Sequence, residues 1–341
     1  MTSLVLTLTE TLRYRGALGQ WSWVLHRISG LGVVLFLTLH VIDTSWAVFY
    51  PDLYVKAIAV YQTPLFTIGE FVLVACVVYH AFNGLRIGII DFKPVWWKYQ
   101  QRAAIYVLLA TLVVLVPVFV LMFGHVLNFY NDPDRQILGL GEVIEAQIPF
   151  VVGIAAAIVA AIVFGFIANL IAPERTKTER AQGIRPKGSR IERFWWSFMR
   201  VSGLLIVPLV FGHLAMMHVI QGVFDITAAG YSVVGTGGLV NDTGTAVEFV
   251  GERWNLLVGS VAVWRVYDFA LLALVVAHGF NGLRLVLTDY TNFSPVLKRA
   301  SIYLCLIGAI VLLVLGIGAL VGTIDQTAIE MAQEAAANLH K

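Results

Sequence analysis

The chain has 341 residues, of which 59% are hydrophobic and only 13% charged, and its mean hydropathy is +0.81. Soluble domains are about half apolar and a quarter charged, so this composition excludes a soluble enzyme, and the formal net charge of +2 gives no sign of nucleic-acid binding. Several apolar stretches exceed the ~20 residues that cross a bilayer as a helix, and backbone groups in lipid must be satisfied within the chain. We therefore predict an all-α, polytopic membrane helical bundle.

Seven transmembrane helices are predicted, with three on each side of a fourth that holds no ionisable residue. In chain order the predicted spans cover approximately residues 23–49, 65–90, 102–127, 148–171, 194–219, 263–287 and 301–321. The corresponding units are a cytoplasmic N-terminal lead (1–20), a first three-helix repeat (21–127), an outer loop, linker transmembrane helix and basic cytoplasmic loop (128–193), a second three-helix repeat (194–323) and an outer C-terminal tail (324–341). The polar stretch that holds Glu142 and Glu145 is expected to be loop.

The distribution of basic residues predicts the orientation. Membrane proteins keep an excess of Lys and Arg in their cytoplasmic loops. If the N-terminus is cytoplasmic and the chain crosses seven times, 18 of the 23 Lys and Arg residues fall on the cytoplasmic side. We therefore expect a multi-pass protein of the cytoplasmic (inner) membrane with its C-terminus outside.

One seven-residue motif occurs twice, 198 residues apart. It reads His-Ala-Phe-Asn-Gly-Leu-Arg at 80–86 and His-Gly-Phe-Asn-Gly-Leu-Arg at 278–284. An aspartate follows each histidine by eleven residues, Asp91 in the first copy and Asp289 in the second. Such a close repeat indicates a duplicated unit that places one histidine deep within each of two spans.

A second repeat begins the first and fifth spans. It reads Arg-Ile-Ser-Gly at 27–30 and Arg-Val-Ser-Gly at 200–203, and a histidine, His40 or His213, follows each glycine by ten residues. Two related halves that both start on the cytoplasmic side need an extra crossing between them. The sequence therefore predicts two parallel three-helix repeats joined by a linker helix.

The four repeat histidines form two predicted layers. At 1.5 Å per residue, His40 lies ~20 Å deeper than the start of its motif, whereas His80 lies ~16 Å from the inner end of its span. Imidazole is a usual axial ligand of b-type haem, and helix bundles project such ligands inward. We predict two b-type haems, with iron bound axially by His80 and His278 in the inner layer and by His40 and His213 in the outer layer. For any single histidine, a hydrogen bond between helices or a proton path is the alternative.

Charged residues near these layers have predicted roles. Arg86 and Arg284 would neutralise haem propionates through their forked donors, or else mark the inner interface. Asp91, Asp43 and Glu70 are candidate proton relays, because intramembrane carboxylates are functional candidates by default; solvation at the interface is the alternative. The other histidines are expected to be surface or propionate-contacting residues: His26, His125, His218 and His340.

These motifs together resemble the membrane-anchor cytochrome b of succinate:quinone oxidoreductase (complex II) and fumarate reductase. The similarity covers about residues 20–125 and 190–325, so the chain looks like two anchor subunits of the two-haem type fused through a linker helix. The resemblance implies that Arg27, Asp289 and Tyr290 bind quinone. Trp23 is included in that site, and it stands where many single-haem members have a serine.

The resemblance implies a role in respiratory electron transfer. It implies a dihaem cytochrome b anchor that docks the succinate dehydrogenase flavoprotein and iron–sulfur subunits on the cytoplasmic face and exchanges electrons with menaquinone or ubiquinone. The chain has no dinucleotide-binding motif and no cysteine cluster, so we expect a non-flavin subunit that is not catalytic toward succinate by itself. Membrane lipid is an expected partner, nucleic acid is not, and a higher oligomer of the complex is left open.

Two alternative functions stay open. A dihaem quinol-oxidising cytochrome b of another respiratory dehydrogenase or reductase would also pair histidines, but it would not predict the Arg-x-Ser-Gly motif or the Asp289–Tyr290 pair. A haem-free transporter built from parallel repeats would use the histidines for protons or substrate, and it would be colourless.

Overall fold

The computed structural model describes residues 13, 16, 18–133, 135, 137–173 and 190–339. Within these ranges seven helices are long and apolar enough to cross a membrane, which confirms the predicted all-α polytopic bundle. The spanning helices are α1 (Leu18–Phe49), α3 (Pro64–Phe92), α4 (Gln100–Tyr130), α5 (Leu140–Ile171), α6 (Arg190–Leu214), α9 (Val263–Thr291) and α10 (Pro295–Val321). The N-terminal lead, most of the basic loop and His340 lie outside the described residues, and the division into units stays a prediction.

The ends of the spans follow from local sequence. Helices α3 and α10 begin at Pro64 and Pro295, where a missing N–H costs nothing because the first turn has no intrahelical acceptor for it. Helix α5 begins eight residues before the predicted span. Glu142 accepts a hydrogen bond from the Gly139 N–H at 2.7 Å and so caps that first turn. The expected loop around Glu142 and Glu145 is therefore wrong, because both residues lie in the helix.

Two short helices extend the spans. A 3₁₀-helix, Pro94–Tyr99, precedes α4, and a π-helix, Ala215–Ile220, continues α6. The 3₁₀-helix leaves Trp97 59% exposed. Exposed tryptophan beside lysine is typical of the level where a membrane meets water.

The two ends of the bundle differ. We call the end that holds Arg27, Arg86, Arg200 and Arg284 the basic end, and the other the capped end. A cap of small elements covers the latter: α2 (Pro51–Tyr61), α7 (Gly222–Asp225), the antiparallel pairs β1 (Tyr231–Ser232) with β2 (Val240–Asn241) and β3 (Leu257–Val258) with β4 (Val261–Ala262), α8 (Ala246–Asn255) and α11 (Gln326–Asn338). The sequence predicted none of these elements, and most of the expected C-terminal tail is helix α11.

The helices that carry the candidate ligands pack together. Helix α1 lies against α3, α9 and α10, and α6 lies against α9 and α3. The linker helix α5 packs along α10 instead, with a Cβ on Gly165 falling only 2.6 Å from the Val296 carbonyl oxygen. The Arg299 guanidinium donates to the carbonyl oxygens of Ala168 and Ala172, so the linker is fixed to the last span.

Candidate functional site

The serine of the Arg-x-Ser-Gly motif holds the histidine of the neighbouring helix. In the first half, Ser29 Oγ donates to the His26 carbonyl oxygen at 3.1 Å and lies 3.3 Å from His80 Nδ1. That Nδ1 also lies 3.0 Å from the same carbonyl oxygen. A carbonyl oxygen only accepts, so His80 carries its hydrogen on Nδ1. Its Nε2 therefore presents a lone pair.

The second half repeats this arrangement. Ser202 Oγ donates to the Phe198 carbonyl oxygen at 2.6 Å and lies 2.9 Å from His278 Nδ1. Because the serine hydrogen is already committed to the carbonyl, His278 Nδ1 must donate to the hydroxyl oxygen. Both motif histidines are thus fixed in the same tautomer with Nε2 available as a ligand.

The glycine of the same motif gives the histidine room. A Cβ on Gly30 would fall 2.8 Å from Cε1 of His80, which is too close for any unshifted contact. A Cβ on Gly203 would fall 3.4 Å from Cε1 of His278, close to ordinary van der Waals contact. The first half is therefore packed more tightly around its histidine than the second half.

The arginine of each motif pairs with the aspartate of the other half. Arg27 forms an ion pair with Asp289, and Arg200 forms one with Asp91. Each guanidinium also lies over a tryptophan ring, Arg27 over Trp23 at 3.8 Å. The equivalent Arg200 contact, with the ring one turn before it, measures 3.6 Å. The structure thus brings Arg27, Trp23 and Asp289 together, and Tyr290, the next residue after Asp289, is half-buried. Their role in binding quinone stays a prediction.

Unpaired buried donors collect at the basic end. Within the described part of the chain, the buried side-chain nitrogens there without a hydrogen-bond partner are His26 Nδ1, Arg86 Nε, Arg200 Nε, Asn281 Nδ2 and Arg284 Nη2. Guanidinium and amide N–H groups only donate, and burying them unpaired is costly. The site therefore has the chemistry of a place that takes an acidic, oxygen-rich group.

His26 is not a surface residue. Its ring stacks on His80 with centroids 3.9 Å apart and planes 8° apart. The sequence placed His26 only at the inner interface, because a histidine next to Arg27 gives no indication of which way its ring turns. Its contact with His80 leaves a role beside propionates open.

The two predicted propionate arginines lie on different helices and make different contacts. Arg86 Nη1 donates to the Gln100 carbonyl oxygen at 3.4 Å, and the side chain lines a cavity of about 350 Å³ between α3, the 3₁₀-helix and α4. Arg284 Nε donates to Asn281 Oδ1 at 3.0 Å. Its Nη1 lies 3.7 Å from Glu192 Oε1.

Asn83 and Asn281 have different hydrogen-bond partners because the two halves differ in sequence before the Arg-x-Ser-Gly motif. Ser22 donates to Asn83 Oδ1 at 2.8 Å, and Tyr79 also contacts this serine. The corresponding residue of the second half is Trp195, whose ring packs against Phe194 and Phe198. Sequence reasoning missed the contacts of Ser22, Ser29 and Ser202. The repeated Arg-x-Ser-Gly motif was the signal that could have found Ser29 and Ser202, whereas Ser22 lies outside it.

The outer layer brings His40 and His213 together. Their ring centroids are 6.0 Å apart with planes at 75° to each other, and Nδ1 of His213 is buried without a partner among the residues that the structure describes. Asp43 lies one turn along α1 and accepts a hydrogen bond from the Tyr61 hydroxyl, while its other oxygen is buried and unpaired.

Glu70 has a partner that the sequence did not predict. Its carboxylate lies 2.6 Å from Nδ1 of His218, which belongs to the π-helix. A second pair, His125 with Asp225 at 2.8 Å, lies beside it. Within the described residues no group of three or more His, Cys, Asp or Glu side chains could hold a bare metal ion.

Comparison with known proteins gives the family. The model of the succinate dehydrogenase/fumarate reductase transmembrane subunit matches residues 8–120 and 172–317. The succinate dehydrogenase 2 membrane subunit SdhC of Mycobacterium tuberculosis (strain ATCC 25618 / H37Rv) is 39% identical over 118 residues, which cover 35% of this chain and 87% of that protein. No solved structure matches. The chain therefore belongs to the succinate dehydrogenase/fumarate reductase transmembrane subunits, as a membrane anchor of complex II with two matched regions fused in one polypeptide.

Proposed function

We propose that this anchor is a dihaem cytochrome b that exchanges electrons with membrane quinone. The observation that carries the proposal is the matched state of His80 and His278, each held at Nδ1 by the serine of its own half with Nε2 free. Metal-binding histidines commonly donate their other ring N–H to a fixed acceptor, which sets the tautomer. Bound haem would supply one-electron redox chemistry.

The basic end supports an inner haem. His80 and His278 would bind its iron, and the unpaired donors of Arg86 and Arg284 would face its propionates. The stacking of His26 on His80 places a further ring nitrogen in the same region. Donor-only groups of this kind fit carboxylates, so the residues present suit the cofactor.

The outer layer supports a second haem. A metal–imidazole bond is about 2 Å long and the ring centre lies about 1.1 Å beyond the nitrogen, so two imidazoles on one iron have centroids roughly 6 Å apart. The 6.0 Å separation of His40 and His213 agrees with that value. Both side chains come from helices α1 and α6, the first helix of each half.

Quinone would bind at the basic end beside the inner layer. Arg27, held between Asp289 and the Trp23 ring, presents a positively charged donor for a quinone carbonyl. Tyr290 supplies a hydroxyl from the same helix end, and Asp289 can pass a proton to a reduced quinone. Asp91 would serve as a proton relay from the other half. Either menaquinone or ubiquinone fits these contacts.

The basic end would face the cytoplasm and receive the flavoprotein and iron–sulfur subunits. The positive-inside rule supports this orientation, with the N-terminus inside and the C-terminus outside. This chain would then take no part in succinate chemistry itself. The family match favours this reading over another respiratory cytochrome or a transporter.

The experiment is a reduced-minus-oxidised absorption spectrum of the purified complex, combined with haem quantification. We expect two b-type signals. His278→Leu should remove one, His213→Leu the other, and His125→Gln neither. A colourless protein would contradict the proposal. If the wild-type complex has one b-type signal and only His278→Leu abolishes it, the proposed outer haem is refuted.

A further inference from the structure

Two imidazole–carboxylate pairs lie side by side at the capped end. Glu70 Oε1 is 2.6 Å from His218 Nδ1, and these side chains are only 13% and 15% exposed. Asp225 Oδ2 is 2.8 Å from His125 Nδ1, and these side chains are more exposed, at 24% and 22%. Glu70, His218 and His125 line one narrow crevice that is too tight to hold a water molecule, and Asp225 contacts His125. A graded series of titratable groups therefore leads from the cap into the bundle.

The hydrogen bonds of His125 determine where the His125–Asp225 pair can bind a proton. Nε2 lies 3.2 Å from the Val219 carbonyl oxygen, which only accepts, so Nε2 carries a hydrogen. The proton that the pair exchanges therefore lies between Nδ1 and the Asp225 carboxylate. Burial raises the pKa of the Asp225 carboxyl and the neighbouring His125 opposes that rise, so this pair binds a proton more readily than an exposed aspartate does.

The π-helix directs His218 into the bundle. In an α-helix, residues five apart point in directions that differ by about 140°, but in a π-helix, with its i→i+5 bonds, they share a face. The Gln221 N–H donates to the Met216 carbonyl oxygen at 3.1 Å, as an i→i+5 bond. His218 lies in this π-helix, five residues after His213 at the end of α6, so one continuous segment carries both an outer-layer histidine and the partner of Glu70.

We propose that His125, Asp225, His218 and Glu70 form a proton-transfer path from the surface of the capped end to the layer of His40 and His213. The path rests on the proposed function, because an electron that arrives at that layer adds a negative charge to an apolar region. A buried charge without compensation is costly. A proton taken up by the Glu70–His218 pair would neutralise that electron.

The transfer has a simple balance. A proton from water is taken up at the His125–Asp225 pair, which lies nearer the cap surface. It passes across the crevice to the Glu70–His218 pair and converts the pair from one shared proton to two. The crevice is too tight to hold a water molecule, so transfer between the pairs accompanies a rotation of His125 or the opening of the crevice to water. When the electron leaves, the proton returns by the same route.

Gly222 is placed to allow this movement. It has φ of +73°, which L-residues with side chains rarely adopt, and it turns the chain between the π-helix and α7. A Cβ there would lie 3.1 Å from Cγ of His125. Glycine therefore keeps the His125 ring unobstructed on the crevice side.

The test uses the whole complex in lipid vesicles and measures protons taken up on reduction, with a pH-indicator dye in weakly buffered medium. Glu70→Gln and His218→Gln keep hydrogen-bonding side chains but remove the titrating groups. The matched control is Glu330→Gln, an exposed carboxylate on α11 at the same end. The absorption spectrum of each variant is recorded in parallel, because it reports separately on the haems.

The expected result is two unchanged b-type signals with proton uptake lost in Glu70→Gln and His218→Gln and kept in Glu330→Gln. Slower uptake in His125→Gln and Asp225→Asn would identify the entry pair. Unchanged uptake in Glu70→Gln with both signals present would overturn the path alone. Loss of the outer signal in these variants would make the pairs structural and also overturn it. A wild-type complex without haem would overturn the proposed function and the path together.

Discussion

Replacement of Gly30 by alanine tests whether the basic end is built around His80. The added Cβ would lie 2.8 Å from Cε1 of that ring. Ordinary carbon contacts are about 3.5–4.0 Å. The imidazole would therefore have to move by roughly 0.7–1.2 Å, and its hydrogen bonds to Ser29 and to the His26 carbonyl oxygen at 3.0–3.3 Å would be lost or lengthened.

The size of the effect follows from two opposing contributions. Overpacking a tight site costs about 1–3 kcal/mol. Alanine gains up to about 1 kcal/mol over glycine in a helix, so Gly30→Ala should destabilise the protein by up to about 2 kcal/mol. Gly203→Ala adds its Cβ at 3.4 Å from His278 and keeps most of the helix gain. The chain thus supplies its own matched control at the equivalent position.

Thermal unfolding of the purified complex, followed by its b-type absorption, measures both effects. Gly30→Ala should lower the unfolding temperature and alter one b-type signal, whereas Gly203→Ala should leave both nearly unchanged. Equal shifts in the two variants would refute the reasoning, because the histidine approaches Gly30 more closely than Gly203.

Three further predictions follow from the same contacts. Ser202→Ala should shift the inner b-type signal more than Ser29→Ala does. Among the described residues His278 Nδ1 has this hydroxyl as its one partner, whereas His80 Nδ1 keeps a carbonyl partner. Equal shifts would argue against the assigned tautomers. Asp91→Arg and Arg200→Asp should each destabilise the protein, and the double variant should recover about 1 kcal/mol; denaturation of all three variants measures the coupling, and additive losses would contradict it. Burial and two acidic neighbours raise the pKa of Glu252 on the cap. Its ionised form therefore opposes folding at neutral pH, so Glu252→Gln should raise the unfolding temperature there. This gain should vanish below about pH 4, where the carboxyl is protonated in the folded and unfolded states. A gain that persists in acid would refute this cause.

Sequence reasoning succeeded where a single physical constraint determines the answer. A lipid bilayer requires long apolar helices, so composition alone predicted seven spans and their order. The division into two three-helix halves, taken from the duplicated motifs, stays a prediction. The family resemblance implied that Arg27 and Asp289 share a quinone site; their ion pair is observed, and the quinone site stays a prediction.

The cap and the π-helix could not be predicted in the same way. Helices α2, α8 and α11 are short and have no long apolar run, so only their packing on the ends of the spans defines them. Val247 and Phe249 illustrate this, because they are almost fully buried although they lie in a helix of ten residues. The π-helix differs from an α-helix by one extra residue in a turn, and no composition signal marks it. The partnership of Glu70 with His218 depends on that extra residue.

The two ion pairs between the halves show how a duplicated structure can have a single candidate quinone site. Each half contributes an arginine to the other half's aspartate, so the frame itself is nearly two-fold symmetric. The residue after the aspartate breaks the symmetry. Tyr290 is half-buried beside Asp289, whereas Phe92 follows Asp91 and is 61% exposed. Under the proposed function only the Asp289 side offers a hydroxyl to a quinone. The Arg200–Asp91 pair carries the same charges as Arg27–Asp289 without that hydroxyl, so it joins the two halves and keeps Asp91 as a proton relay.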